Sequence, residues 1–158
     1  MHPSPDELEL SLVALFAGWA MADEVQRRLA AEGLPDLRFS DGVVIQHVLA
    51  AELTITQLAG RMGVTQQAAS KSVADMERRG LLVRVPAPGD ARARHLRLTE
   101  AGHAAVAAAR RLRAGLDAEL ADAFGARRTA DARALLAAIV DRLGGSAAVR
   151  GRRVRPPG

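Results

Sequence analysis

The chain has 158 residues, a formal net charge of +4 at pH 7, 49% hydrophobic residues and only 3% aromatic residues. This length and composition predict a soluble folded protein of one domain, or of one domain with an elaborated extension. Its core is expected to be built from Ala, Leu and Val, which favours close-packed helices over a sandwich of bulky strand residues. The complete absence of Cys excludes disulfides, thiolate metal sites, cysteine nucleophiles and thiol-based redox sensing.

The N-terminal third predicts two helices. Ser4 and Glu7 form a capping-box pattern around Pro5, and apolar residues then recur at helical spacing on more than one side, so the first helix should be buried on more than one side. Gly33 ends it, and a second helix is expected from Ser40. The acidic N-terminus is unlike a signal peptide, and no apolar run approaches the ~20 residues of a membrane span. We therefore expect a cytoplasmic protein with no membrane partner.

The middle of the chain predicts two short helices separated by a tight turn, followed by a hairpin. Thr54 opens a capping box and Gly63 ends that helix, whereas Thr65 caps the next one, which ends at Gly80. The apolar pattern then changes from helical to alternating on either side of a Pro/Gly/Asp turn, which predicts two strands. The residues expected to face inward are Leu81, Val83 and Val85 on the first strand and Leu96 and Leu98 on the second.

Two further helices are predicted after the hairpin. Thr99 caps a long Ala-rich helix that runs to about Gly125, and Thr129 is expected to cap the last helix, which stops at Gly144. Residues 146–158 lack any apolar period and predict a disordered basic tail. Its arginines either follow phosphates or only solubilise the end of the chain.

Positive charge is concentrated in one central segment. Between Arg61 and Arg97 there are eight basic and three acidic residues, and the last nine residues add four arginines, while the rest of the chain is net acidic. This asymmetry indicates a polyanionic partner, nucleic acid first. A solvated charged face is the alternative.

The helix that Thr65 opens is suited to reading DNA. Its rear face is apolar and its leading face is polar, with Gln66, Gln67, Ser70 and Lys71. Gln binds an adenine edge with two hydrogen bonds and Lys reaches guanine or a phosphate, while the helix start at Thr65 offers free amides to a phosphate. An ordinary solvated helix face is the alternative interpretation.

The hairpin places arginines on a narrow loop. Arg92 lies near its tip and Arg94 on its return strand, which suits the minor groove. Asp90 either orients one of these arginines by a salt bridge or makes the turn. Arg78 and Arg79, two helical turns further along, are interpreted as phosphate contacts or solvated charges.

The run from Leu53 to Gly102 resembles the MarR family of bacterial winged-helix regulators. The likeness rests on the helix-turn-helix followed at the right distance by the wing pattern D-x-R-x-R and then L-T-x-x-G. The residues that match this pattern are Asp90, Arg92, Arg94, Leu98, Thr99 and Gly102. The flanking helices and the total length also fit the family.

The resemblance implies a mainly α fold with a small β-hairpin wing, and it implies that different parts of the chain bind DNA and form the dimer. Residues 39–102 would form the winged helix-turn-helix domain, and residues 1–38 and 103–145 the dimerisation helices. It further implies a homodimer that binds double-stranded DNA at a pseudopalindromic operator, usually as a repressor. Two-fold symmetry would then place the recognition helices in successive major grooves, ~34 Å apart.

The family often binds a small aromatic or anionic effector between the winged domain and the dimerisation helices. Trp19 and His47 are the candidate contacts, with core packing of Trp19 and a satisfied buried His47 as the alternatives. The four histidines show no ligand spacing, so we expect no metal or cofactor. No nucleophile with its base and no phosphate-cradling glycine loop is present, so the sequence does not predict an enzyme.

Two other functions remain open at this point. A sequence-tolerant architectural DNA-binding protein would carry the same basic charge. A winged-helix protein-interaction module would keep the fold without binding DNA, because a fold does not fix a function.

Overall fold

The computed structural model describes residues 4–145, apart from the side chain of Phe39. Its helices are α1 (Leu10–Ala31), α2 (Phe39–Ala50), α3 (Ile55–Met62), α4 (Gln66–Arg78), α5 (Glu100–Phe124) and α6 (Ala126–Arg142), and its strands are β1 (Leu82–Ala87) and β2 (Asp90–Leu98). The predicted mainly α fold with a β-hairpin wing is confirmed. The basic tail at 146–158 lies outside the described residues.

The helix-turn-helix forms as its capping residues predict. The Thr54 hydroxyl accepts a hydrogen bond from the Gln57 amide (3.3 Å), and the Gln57 side chain accepts one from the Thr54 amide (2.9 Å). Gly63 ends α3 at φ +69°, a backbone conformation that side chains with a Cβ rarely adopt. Two residues later the Thr65 hydroxyl accepts from the Ala68 amide (3.1 Å) and starts α4. The sharp turn between α3 and α4 is therefore explained by two neighbouring residues, Gly63 where α3 ends and Thr65 where α4 begins.

The first helix starts later than predicted. The Ser4 amide donates to the Glu7 carboxylate (3.0 Å), but this contact closes only a single 3-10 turn at Pro5–Glu7. Leu8 then adopts an extended backbone, and α1 begins at Leu10. The capping box therefore forms as predicted, but the prediction that it starts the long helix is wrong.

The start of the last helix was also predicted in the wrong place. The α6 helix begins directly after Gly125, whose φ of +95° turns the chain between α5 and α6. Thr129 lies one turn inside the helix, where its hydroxyl donates to the Gly125 carbonyl (3.0 Å). A threonine within a helix can form this bond to the preceding turn, so its presence does not mark a cap.

The hairpin is antiparallel, with Leu82 opposite Leu98 and Arg84 opposite Leu96. Leu96 and Leu98 are buried as predicted, but the inward face of β1 was predicted in the wrong phase: Leu82 is buried and Val83 is 42% exposed. Leu81 is buried because its amide still bonds the carbonyl of Met76 at the end of α4 (2.9 Å). Strand alternation therefore begins one residue later than the sequence pattern suggested.

One continuous hydrophobic core joins α2, α3, α4 and the hairpin to the C-terminal half of α1 and the N-terminal half of α5. Val25 and Leu29 are the buried residues of α1, and the buried residues of α5 end at Leu112. No described residue of α6 is buried. In addition, none of the helices within residues 4–145 has the length and apolar content that crossing a bilayer would require.

Candidate nucleic-acid interface

Helix α4 presents a polar face outward and an anchored face inward, as the sequence predicted. Ala69, Val73 and Met76 are each 0% exposed. The predicted contact residues Thr65, Gln66, Gln67 and Lys71 are exposed, and Ser70 is partly buried. These three residues are spaced by four and then three positions, so they lie on one side of the helix. Because that side is buried, α4 has little freedom to rotate about its axis, and its opposite face points to solvent. The structure thus leaves this face accessible on a fixed helix.

An ion-pair cluster fixes the C-terminal end of α4 against the start of α2. The Arg79 guanidinium donates to both carboxylate oxygens of Asp41 (2.8 Å each), and Asp41 is only 5% exposed. The hydrogen bond to Asp41 raises the pKa of Arg79, although burial acts in the opposite direction. Arg79 also donates to Asp75 (3.0 Å). The interpretation of Arg79 as a phosphate contact or solvated charge is therefore wrong, because carboxylates on α2 and α4 bind its charge.

Asp75 is the second carboxylate of this cluster. Partial burial acts to raise its pKa, but the hydrogen bond from Arg79 and the charges of Arg79, Arg38 and Arg78 outweigh burial and lower the pKa. Arg78 donates to it at 3.0 Å and remains exposed. Asp75 is consequently ionised at neutral pH and bound by three guanidiniums.

The wing carries two exposed arginines. The Asp90 carboxylate accepts a hydrogen bond from the backbone amide of Arg92 (2.9 Å), next to Gly89 at φ +78°. Within residues 4–145 no carboxylate lies within ion-pair distance of either Arg92 or Arg94. Of the two roles considered for Asp90, making the turn is the one that its contacts support.

The basic residues between Arg61 and Arg97 separate into two groups by their contacts. Arg84 pairs with Glu77 (2.9 Å) and Arg97 with Glu52, and Arg78 and Arg79 belong to the cluster at Asp75. The other cations of the segment have no carboxylate partner among the described residues; they are Arg61, Lys71, Arg92 and Arg94. Three of these four were predicted as DNA contacts. Arg61 was missed, although the sequence has no acidic residue three or four positions from it.

The two predicted effector contacts lie apart from a cleft between α1 and α5. Trp19 is 55% exposed and packs edge-to-face on Phe16 (5.5 Å), whereas His47 is 9% exposed and is not free of partners. The cleft has a volume of about 310 Å³, and neither Trp19 nor His47 lines it. Its lining includes Met21, Gln26, Leu37, Arg113, Leu116 and Asp117. Sequence reasoning missed Gln26 and Arg113, because only folding brings α1 and α5 together.

The inner wall of this cleft is held by a reciprocal contact. The Leu37 amide donates to the Gln26 side-chain oxygen (2.9 Å), and the Gln26 side-chain amide donates back to the Leu37 carbonyl. This pair attaches the segment between α1 and α2 to α1. Across residues 4–145 no group of three metal-ligating side chains comes together.

A domain with an anchored polar helix and an arginine-bearing hairpin behind it is a winged helix-turn-helix. A profile of the MarR family matches residues 36–93 of the chain. No match was found among curated protein sequences.

Solved structures share this architecture. The YusO protein from Bacillus subtilis is 21% identical and covers 84% of this chain and 91% of its own, with a TM-score of 0.61. The transcriptional repressor CouR, bound to a 23-mer DNA duplex, is 24% identical over 89% of this chain and 99% of its own, also with a TM-score of 0.61. Wild-type MarR from E. coli is 20% identical over 84% and 98%, with a TM-score of 0.56. Residues 36–93 thus resemble the MarR family, and the chain shares the winged-helix fold of these solved structures.

Proposed function

We propose that the protein is a sequence-specific DNA-binding regulator that represses transcription in the cytoplasm as a homodimer on a pseudopalindromic operator. The observation that carries the proposal is the set of four cations without carboxylate partners, which lie on the winged domain with the polar face of α4. Unpaired cations are the ones that exchange counterions for phosphates most favourably. The DNA-bound structure of CouR, which has the same fold, supports this use of the domain.

Base reading and backbone binding fall to different parts of the proposed interface. Gln66, Gln67 and Ser70 on α4 are short, polar and suited to base edges in the major groove. Arg92 on the hairpin is suited to the narrow minor groove beside it. No catalytic role is proposed for either element.

The proposed homodimer accounts for the apolar residues that the chain leaves exposed. Of the thirteen large apolar side chains exposed among the described residues, all but Leu49 and Val83 lie on α1, at the end of α5, and on or directly after α6: Leu10, Leu12, Leu15, Phe16, Trp19, Met21, Phe124, Leu135, Leu136, Val140 and Leu143. Burying one such side chain contributes about 1.5–3 kcal/mol. A second copy of the chain would cover this surface twice by symmetry and would place two recognition helices on one face of a duplex.

The test begins with selection of a binding site from random duplexes, followed by binding measurements at several salt concentrations. We expect Arg92→Ala to weaken binding to all sequences and to reduce the salt slope by about 1, while Gln67→Ala relaxes the preference at one position in each half-site. Arg84→Ala is the matched control, because Arg84 lies on the hairpin but is already paired with Glu77. If Arg92→Ala and Gln67→Ala behave alike, the division between reading and positioning is wrong.

The same measurements separate the two rival functions. A regulator should bind its selected site ~10³-fold or more above random DNA at physiological salt, whereas an architectural protein should show little difference. A protein-interaction module would yield no selected duplex. In that case its activity would survive Lys71→Ala combined with Arg92→Ala.

We further propose that a small anionic or aromatic effector binds in the cleft between α1 and α5. The apolar side chains of Met21, Leu37 and Leu116 offer contact area, and Arg113 offers a charge with no carboxylate partner among the described residues. Aromatic carboxylates that bind there should raise the midpoint of thermal unfolding. They should also lower the affinity for the selected duplex.

A further inference from the structure

A polar groove of about 250 Å³ lies between the start of α2 and the solvent-facing side of α4. Its lining includes Arg38, Ser40, Lys71, Ser72, Asp75 and Arg78, with Asp41 at its base. From this set the sequence analysis proposed Lys71 as a DNA contact and Arg78 as a phosphate contact or a solvated charge. The groove adjoins the proposed reading face, because Lys71 follows Gln67 by four residues and therefore lies on the same side of α4.

The carboxylates in this groove are already occupied. Asp41 accepts both hydrogen bonds from Arg79 and also binds the Arg38 amide (2.8 Å). Asp75 binds the guanidiniums of Arg38 (3.1 Å), Arg78 and Arg79. These arginines leave no carboxylate for any further cation in the groove.

Lys71 is the cation of this groove that has no carboxylate partner among the described residues. It lies four residues before Asp75, a spacing at which a helical ion pair forms readily, yet Asp75 pairs with arginines and not with Lys71. Among the described residues the Ser40 and Ser72 hydroxyls likewise have no hydrogen-bond partner. The groove thus combines one free ammonium and two free hydroxyl donors beside a rigid charged wall.

We propose that this groove binds one phosphate of the DNA backbone, with Lys71 supplying the charge and Ser40 and Ser72 donating hydrogen bonds. The inference rests on the proposed function and deepens it. The lining carries three cations and two carboxylates, and this small positive excess suits the single charge of a phosphodiester better than a free phosphate dianion. Lys71 is thereby assigned to the backbone and not to guanine, and the bound phosphate sets the depth at which Gln67 meets the bases.

The experiment replaces single phosphates of the selected duplex by neutral methylphosphonates, one position at a time. For the wild-type protein we expect one position in each half-site, beside the bases read by Gln67, to cost about tenfold in affinity. In the double variant Ser40→Ala with Ser72→Ala, substitution of that same phosphate should cost clearly less than in the wild type, because only the interaction with Lys71 is left to lose, while all other positions keep their effects. Alanine is a good helix former, so both changes should leave the fold intact.

Two further variants complete the design. Lys71→Gln should reduce the salt slope by about 1 and leave the base preferences unchanged. Ser11→Ala, at an exposed position of α1 outside the winged domain, is the matched serine control and should show the wild-type pattern of phosphate effects. If Lys71→Gln instead alters the preference for one base pair, Lys71 reads a base and the proposal is wrong.

The possible failures are distinguishable. If no duplex is selected at all, the proposed function fails and the groove has no DNA phosphate to bind. If a duplex is selected but the serine variant keeps the full methylphosphonate pattern, the groove proposal fails while the function stands. If inorganic phosphate competes with DNA more strongly than chloride at equal ionic strength, and does so only when Ser40 and Ser72 are present, the groove is a free-phosphate site and the proposal is also overturned.

Discussion

The winged domain and the flanking helices use their apolar residues in opposite ways. In the winged domain Leu58, Met76 and Leu81 are each 0% exposed and contact a core formed within one chain. On the flanking helices Leu10 is 58% exposed and Phe124 is 62% exposed. Both regions have an apolar pattern at helical spacing, so the pattern alone does not show what covers it. The winged domain therefore completes its core within one chain, whereas the flanking helices leave an apolar surface exposed, which the proposed homodimer would cover.

Helix α5 connects the two regions. Its first half buries Ala105 and Leu112 in the core, whereas no residue after Leu112 is buried. Two ion pairs hold α1 alongside it, Arg28 with Glu119 (2.6 Å) and Arg111 with Glu32 (2.6 Å). A movement of the flanking helices would therefore reach the winged domain along one continuous helix.

The largest expected effect comes from placing a charge on α6. Leu136→Asp puts a carboxylate in the middle of the exposed apolar face, and in the proposed dimer it does so in both copies. Losing two buried leucines costs roughly 3–6 kcal/mol of association free energy, which raises the dimer dissociation constant by more than 100-fold. Sedimentation velocity over a range of protein concentrations measures the shift.

The matched control for this prediction is Ala134→Asp, on the side of α6 away from the apolar face. It introduces the same charge and should leave the dimer unchanged. The α-helical content of the winged domain should survive Leu136→Asp, because α6 contributes no buried residue to that core. If both variants remain equally dimeric, the apolar face of α6 is not the interface.

A second prediction compares two glycines on α5. A Cβ at Gly102 would lie 2.3 Å from the backbone oxygen of Leu81, whereas a Cβ at Gly115 meets no atom within 4 Å. Gly102→Ala should therefore destabilise the protein by about 3 kcal/mol, since backbone must move. Gly115→Ala should stabilise it by about 0.5–1 kcal/mol through helix propensity.

Urea unfolding at one protein concentration measures both changes. Both variants replace glycine by alanine on the same helix. Opposite changes in the free energy of unfolding would therefore show directly that the core contacts α5 at Gly102 but not at Gly115. Equal destabilisation by both variants would mean that the core extends further along α5 than the structure shows.

The structural features that could be predicted from the sequence are those fixed by residues close to one another in the chain. Thr54, Gly63 and Thr65 fix the helix-turn-helix through contacts within three residues, and each behaves as predicted. The errors at Ser4 and Thr129 share a cause, because a residue that can cap also forms other local hydrogen bonds. The phase error at Val83 arose because helix α4 ends through a bond that reaches Leu81.

The features that sequence reasoning missed depend on contacts between distant segments. Arg79 looked free in the sequence, because its partner Asp41 is 38 residues away. The cleft beside Arg113 likewise exists only where α1 meets α5. DNA contacts at Gln66, Gln67, Ser70, Arg92 and Arg94 stay predictions, since each rests on exposure and residue type and none on an observed ligand.

The smallest expected effect concerns the stability of the winged domain in acid. The pKa of Asp75 is lower in the folded protein than its ordinary value, because the bonds and charges of Arg79, Arg38 and Arg78 outweigh partial burial. A lowered folded-state pKa adds stability above the unfolded value of about 3.9, and this stability is lost as the pH falls through the folded value. Asp75→Asn should therefore be less stable than wild type at pH 7, with the difference shrinking below about pH 4. Urea unfolding of both proteins between pH 7 and pH 3 measures the difference; a difference that stays constant over this range would mean that the arginines around Asp75 do not stabilise its ionised form.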